Sequence, residues 1–315
     1  MFERRAEARR GEEIMASLPI RTFKLTIAYD GSGFHGWQTQ PGVRTIQGTL
    51  SDVALQITQE KIFIQGASRT DAGVHALGQV AHFRTQTGLP AAELMRAFNA
   101  LLPAQIRVME AEECSPSFHS RWLAQAKTYR YRIYQGPVLP PFEHGRALHH
   151  PWPLDEAAMV AAARLFEGEH DFTAFSASSG SEEDDGDRRG ARVVYSSELR
   201  RASIVAAEAT ADVRVDALGG AVRVSASELT YVIRGQSFLR YMVRKLVGTL
   251  LDVGRGKIQV AQIPELFEAR DRSLTGATAP PDGLCLVSLE YPDPTSSIAT
   301  QRGSARTPRT AARER

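Results

Sequence analysis

Between two stretches of strand-like alternation lies a polar, small-residue run, Gly66-Ala67-Ser68-Arg69-Thr70-Asp71-Ala72-Gly73-Val74-His75-Ala76. Loops held by a rigid scaffold are where reactive side chains concentrate. Asp71 is the only carboxylate of this run, and Arg69 and His75 flank it closely. A neighbouring cation keeps a carboxylate ionised, and an ionised carboxylate can act as a nucleophile or a general base. Spacing alone equally allows a purely local role, because an Asp in a Gly-containing turn often caps backbone N–H groups.

Two further clusters carry charge beside aromatic rings. Phe118-His119-Ser120-Arg121-Trp122 is followed by Lys127-Thr128-Tyr129-Arg130-Tyr131-Arg132. In a strand, Tyr129 and Tyr131 share one face while Arg130 and Arg132 share the other. Rings interleaved with cations suit stacking on bases and pairing with phosphates, and they equally suit an ordinary amphipathic edge strand. Farther on, Gln236, Arg240 and Arg244 recur at four-residue intervals beside an apolar helical stripe, which places them on one flank of a helix. That flank is either a solvated basic face or a set of guanidinium groups reaching a carboxylate across a cleft.

Other patterns are excluded by their context. Gly31-Ser32-Gly33-Phe34-His35-Gly36 matches the dinucleotide-binding spacing, but that use requires a helix to open inside the motif. Here the chain continues as loop through Pro41-Gly42. Cys114 and Cys285 stand far apart, with no second Cys or His at zinc spacing. The expectation is a reducing compartment, no metal and no cofactor.

The elements that must position these residues alternate between strand and helix. Strands are expected over Phe23–Tyr29, Lys61–Gln65, Ala76–Thr85 and Ile106–Ala111, with helices over Thr45–Thr58 and Ala91–Leu102. A similar order follows: strands over Thr128–Tyr134, Val193–Leu199, Val222–Ile233 and Leu284–Tyr291, with helices over Asp155–Phe166, Phe238–Val253 and Gln259–Ala269. The first series reads as a βαββαβ ferredoxin-like unit. The expected fold is therefore α+β: two ferredoxin-like halves, 22–120 and 121–294, whose sheets join edge to edge around a cleft. Ser176–Arg192 is Gly/Ser-rich with five acids in six residues, and is expected as a mobile surface loop. Residues 1–21 and the Arg-rich 295–315 are expected to stay loose.

The chain has 315 residues, 43% hydrophobic and 23% charged, with 38 Lys plus Arg against 36 Asp plus Glu. Such a composition excludes wholesale disorder and collagen-like or disulfide scaffolds. A net charge of +2 requires any polyanion surface to arise from local clustering. No apolar run reaches the roughly 20 residues that span a bilayer, and the N-terminal residues lack an apolar signal core, so a cytoplasmic protein is expected.

Taken in order, Tyr29-Asp30-Gly31…Gly36-Trp37-Gln38, Arg69-Thr70-Asp71-Ala72-Gly73-Val74-His75-Ala76, Phe98-Asn99…Leu102-Pro103, Phe118-His119…Arg121, Tyr129-Arg130-Tyr131, Asp171-Phe172-Thr173…Phe175 and Met242-Val243-Arg244…Val247-Gly248 resemble the TruA family of tRNA pseudouridine synthases. The resemblance runs from about Phe23 to Tyr291. It implies isomerisation of uridine to pseudouridine at positions 38 to 40 of the tRNA anticodon stem-loop, without a cofactor, by a homodimer. Asp71 matches the family's catalytic aspartate, Tyr129 the tyrosine packed on the target base, and Arg244 the arginine paired with the aspartate. Arg69 matches a basic residue that helps extrude the nucleotide, while His75, Arg121, Arg130 and Arg240 are expected as further RNA contacts. In such chemistry the N1–C1′ bond breaks, the uracil turns, and a C5–C1′ bond forms. The carboxylate can attack ribose or uracil, or take a sugar proton. Ser68 stands where the family often has Gly, a change expected to cost nothing, and the acidic loop, the tails and the Arg189-Gly190-Ala191-Arg192-Val193-Val194 segment also depart from the pattern. The competing function is a non-catalytic RNA-binding module, which would need no Asp71 opposite Arg244.

Overall fold

The computed structural model describes residues 18–176, 190–202 and 227–293. Within them lie ten strands and five α-helices. The first series is β1 (Arg21–Tyr29), α1 (Ile46–Thr58), β2 (Gln65–Gly66), β3 (His75–Thr85), α2 (Ala91–Leu101) and β4 (Ile106–Cys114). The second is β5 (Ala126–Gln135), β6 (Leu148–His149), α3 (Glu156–Arg164), β7 (Gly168–Asp171), β8 (Ala191–Ala202), β9 (Ser227–Gly235), α4 (Met242–Gly254), α5 (Ile263–Ala269) and β10 (Leu284–Glu290).

All ten strands form one sheet in the order β4-β1-β3-β10-β5-β9-β8-β7, with β2 added to β3 and β6 to β5. The first three strands of that path come from the first series and the last five from the second. They meet where β3 runs parallel to β10, Cys285 opposite His75 and Leu286 opposite Ala76. The mixed α+β class read from the sequence is therefore present as a single continuous sheet.

Local chemistry accounts for the element ends. Thr45 accepts a hydrogen bond from the Gly48 N–H and caps α1, and Asp155 does the same for α3 through Ala158. Strand alternation holds in β5, where Tyr129, Tyr131 and Ile133 are buried while Arg130 and Arg132 are half-exposed. Strand residues such as Phe23, Phe83 and Tyr231 and helix residues such as Phe98 of α2 and Leu246 and Leu250 of α4 form the core. Burial of each such large side chain contributes about 1.5–3 kcal/mol.

Several boundaries differ from the sequence reading. The strand expected over Lys61–Gln65 pairs only at Gln65–Gly66, because the Gln47 side chain, not a neighbouring strand, donates to the Ile64 carbonyl. The helix expected from Phe238 starts at Met242, since Tyr241 adopts φ 64°, a left-handed conformation that stops α-helix on its N-terminal side. Arg240 therefore lies in the preceding turn, and the proposed flank of Gln236, Arg240 and Arg244 does not exist as one helical face. Ala191 and Arg192 belong to β8, with Arg192 buried, so the predicted acidic loop ends earlier than expected. Its residues 177–189, most of the N-terminal extension and the basic tail lie outside the described residues. Among the described residues no helix is long and apolar enough to cross a membrane.

Candidate active site

Asp71 sits in the loop between β2 and β3, and that loop is fastened along its length. The Trp37 N–H donates to the Thr70 carbonyl (3.0 Å), Gly73 N–H to the Phe34 carbonyl (3.2 Å), and Ala67 N–H to the Val80 carbonyl (2.8 Å). Behind it, the Tyr29 and Thr70 hydroxyls lie 2.8 Å apart, and Gln79 brackets Ser68, donating to its carbonyl at 2.7 Å. The glycine run dismissed as a nucleotide motif has its purpose here. A Cβ on Gly36 would stand 2.6 Å from the Thr70 carbonyl oxygen, and Gly36 has φ 85°. Only glycine lets that turn lie against the backbone of the Asp71 loop.

Arg244, in the first turn of α4, closes the site from the other series of elements. Its Nη1 donates to Asp71 Oδ2 at 3.2 Å and its Nε to the Ala279 carbonyl at 2.7 Å. The Ala279 N–H returns a bond to the Arg244 carbonyl (3.1 Å), so the segment before β10 holds Arg244 by both its side chain and its backbone. The next residue, Lys245, is buried and donates to the Arg272 and Gly276 carbonyls and the Thr275 hydroxyl. Adjacent cations of one helix thus hold both ends of the same loop.

The pair is largely withdrawn from water: the Asp71 side chain is 22% exposed and that of Arg244 14%. Burial pushes the Asp71 carboxyl above the ordinary carboxylate value, while the charges of Arg244 and Arg240 oppose the rise. The sequence reading expected a nearby cation to keep this group charged; desolvation outweighs the cations in the net direction. A cap within its own turn, the local alternative, is not what engages Asp71: the bond given for its carboxylate goes to Arg244, 173 positions away in sequence.

Tyr129 lies on the same side of the sheet, packed edge-on against Phe238 with ring centroids 5.2 Å apart. Its hydroxyl is 2.9 Å from that of Ser68. Burial pushes its phenol up to about 12, with the Asp71 charge adding to the rise, so the ring stays protonated across the physiological range. Lys127 donates to the Ala67 carbonyl (3.0 Å) and approaches the Ser68 hydroxyl (3.4 Å), which ties the strand bearing Tyr129 to the loop bearing Asp71.

The remaining predicted contacts separate into groups. Arg69 is exposed on the Asp71 loop, and Arg240 is exposed on the rim, its guanidinium over the Tyr241 ring at 5.0 Å. His75 points behind the loop instead: Nδ1 accepts from the Gly31 N–H (3.2 Å) and Nε2 meets the Gly145 carbonyl (2.7 Å). Its geometry is that of an anchor. Arg130 points to the opposite sheet face from Tyr129, so it does not reach the Asp71 pair. Arg121 is half-buried in the turn before β5, away from the Asp71 loop in sequence and beside the stacked His119–Trp122 rings. Sequence reasoning missed Ser68 as the partner of the Tyr129 hydroxyl, missed Lys127 as a tie to the Asp71 loop, and missed the Ala279–Pro281 segment altogether. The departure at Ser68 was visible; its partner across the sheet was not. Among the described residues no cluster of His, Cys, Asp or Glu could hold a metal ion.

Comparison with known proteins identifies the family of the chain. The family model described as tRNA pseudouridine synthase matches residues 25–122 and 162–292. A protein of Solibacter usitatus, named tRNA pseudouridine synthase A, is 43% identical over 272 residues, covering 86% of this chain and 100% of that one. A protein of the same name from a Geobacillus species is 40% identical over 86% of this chain and 98% of its own length. Another, from Acetivibrio thermocellus, is 38% identical over 86% of this chain and 100% of its own length. With the family model matching parts of both series of elements and relatives aligned along nearly their whole length, the chain belongs to the tRNA pseudouridine synthase family and is an isomerase.

Proposed function

We propose that this enzyme converts uridine to pseudouridine at positions 38 to 40 of the tRNA anticodon stem-loop, working as a homodimer, with Asp71 as the catalytic carboxylate. The observation that carries the reading is the Asp71–Arg244 pair at 3.2 Å in a mostly water-excluded cleft. A pure binding module has no use for a carboxylate beside RNA phosphate, since it repels the ligand and costs desolvation.

In this reading a uridine leaves the stack and enters the cleft, which costs a few kcal/mol that stacking and phosphate contacts offset. The Tyr129 ring packs on the uracil, and Ser68 fixes the phenol. Asp71 attacks the ribose or the uracil, or takes a sugar proton, while the glycosidic N1–C1′ bond breaks. The freed uracil turns and its C5 bonds to C1′ as any bond to Asp71 breaks or the sugar proton it took is returned, and C5 then loses its proton while N1 gains one. Arg244 stabilises the carboxylate form that begins the cycle. Arg69 on the loop and Arg240 on the rim supply cations toward the RNA backbone. We further read the two blocks of the sheet as ferredoxin-like halves; the order β4-β1-β3-β2 of the first series supports this.

The test is Asp71→Asn, assayed by tritium release from tRNA carrying 5-tritiated uridine and by mapping pseudouridine at positions 38 to 40. Release should stop while tRNA binding persists. Undiminished release from the variant would remove Asp71 from the chemistry.

A further inference from the structure

Beside the Asp71 loop lies a cavity of 920 Å³ whose lining includes neither Asp71 nor Arg244. Its inner wall is Ala72, Gly73 and Pro281, so it begins one residue past Asp71. Its outer wall is the turn Pro141–Arg146 from the second series of elements. That turn is rigidly placed. Two prolines introduce it, Glu143 forms an ion pair with Arg132 at 2.8 Å, and the Gly145 carbonyl meets His75 Nε2 at 2.7 Å. Yet on this fixed backbone the Phe142 ring is 85% exposed. Around it stand exposed His35, His144 and Arg146.

An isolated exposed apolar residue needs no explanation. Here, however, the ring occupies the mouth of a cavity large enough for a nucleotide, on a turn whose ordering cost is already met in folding. Arg146 keeps 60% of its side chain exposed although it lies 3.7 Å from Asp30. That contact is to Asp30 Oδ2, long for an ion pair and well exposed, while Ser32 engages Oδ1, so the guanidinium is able to turn toward a phosphate.

We propose that this cavity holds a nucleotide adjoining the target uridine, its base stacked on Phe142 and its phosphate facing Arg146 and His144. The inference rests on the tRNA-modifying reading above and deepens it. A flipped uridine displaces its neighbours from their normal stack, and an aromatic platform next to the cleft replaces the stacking they lose. His75, which links Gly31, Gly145 and the Asp71 loop, then sets the spacing between the two nucleotide positions.

The experiment compares anticodon stem-loops with and without an abasic nucleotide on either side of the target, against wild type, Phe142→Ala and Phe142→Tyr. Binding is measured by filter retention and turnover by tritium release. Phe142→Ala should weaken binding by about 5- to 100-fold, the range for losing one stacked base, with the change in KM rather than in the saturated rate. Phe142→Tyr should restore it. At one flanking position the abasic substitution should weaken wild type but add nothing to Phe142→Ala. Unchanged binding by Phe142→Ala, or losses that simply multiply at both flanking positions, would overturn the proposal. Failure of wild type to release tritium would instead overturn the functional reading itself.

Discussion

Replacing Arg244 with Gln isolates what the guanidinium does for Asp71. Burial raises the Asp71 carboxyl and Arg244 opposes that rise, so removing the cation leaves burial less opposed. The carboxyl then needs a higher pH to ionise, and the acidic limb of the rate profile moves upward. At 3.2 Å, Coulomb's law with an effective dielectric of about 20 gives roughly 5 kcal/mol as a ceiling. An opposite charge within about 4–6 Å moves an Asp by about 1–3 pK units in practice. Because the carboxylate is 22% exposed and Arg240 still contributes, the lower part of that range applies: a shift of about 1–2 units, or about 1.4–3 kcal/mol. Arg244→Lys keeps the charge but loses the planar fork that reaches Ala279, so its plateau should fall while its limb stays near wild type. The assay is single-turnover tritium release from 5-tritiated uridine in tRNA, from pH 5 to 9 at constant ionic strength. An acidic limb in Arg244→Gln that coincides with wild type would refute the electrostatic role, whatever the drop in plateau.

Two other substitutions test how the loop and the ring are held. Ser68→Ala removes the 2.9 Å bond to the Tyr129 hydroxyl; at about 0.5–1.5 kcal/mol for one hydrogen bond, the single-turnover rate should fall roughly 2- to 12-fold with tRNA affinity retained. A rate equal to wild type would mean that Phe238 alone positions the ring. Gly36→Ala places a Cβ 2.6 Å from the Thr70 carbonyl at φ 85°, which should destabilise the fold by about 1–3 kcal/mol in denaturant unfolding and slow turnover beyond what the stability loss explains. An unfolding midpoint within error of wild type would show that this turn tolerates a side chain after all.

The amino-acid sequence alone determined the class of fold, because alternating and 3.6-residue apolar patterns are local and survive without knowledge of any partner. It also determined the loop that carries the carboxylate: one Asp among glycines and small residues is legible wherever the chain goes. The resemblance of spaced motifs named the family, and the family model and the relatives agree with it. The resemblance already pointed to Arg244 as the partner of Asp71, but spacing along the chain does not, and the tertiary structure is what brings the two together. Arg69 is two residues away yet exposed, whereas Arg244 is 173 residues away and bonded to it, because the two series of elements share one sheet at the β3–β10 seam. The same seam explains why His75 anchors the loop from behind, whereas the turn of Arg130 away from Tyr129 was already legible in the sequence. Strand geometry turns neighbours to opposite faces. The net direction of the Asp71 ionisation was likewise out of reach of sequence, since it is a balance between burial and two guanidinium groups, and burial exists only once the chain has closed around the carboxylate.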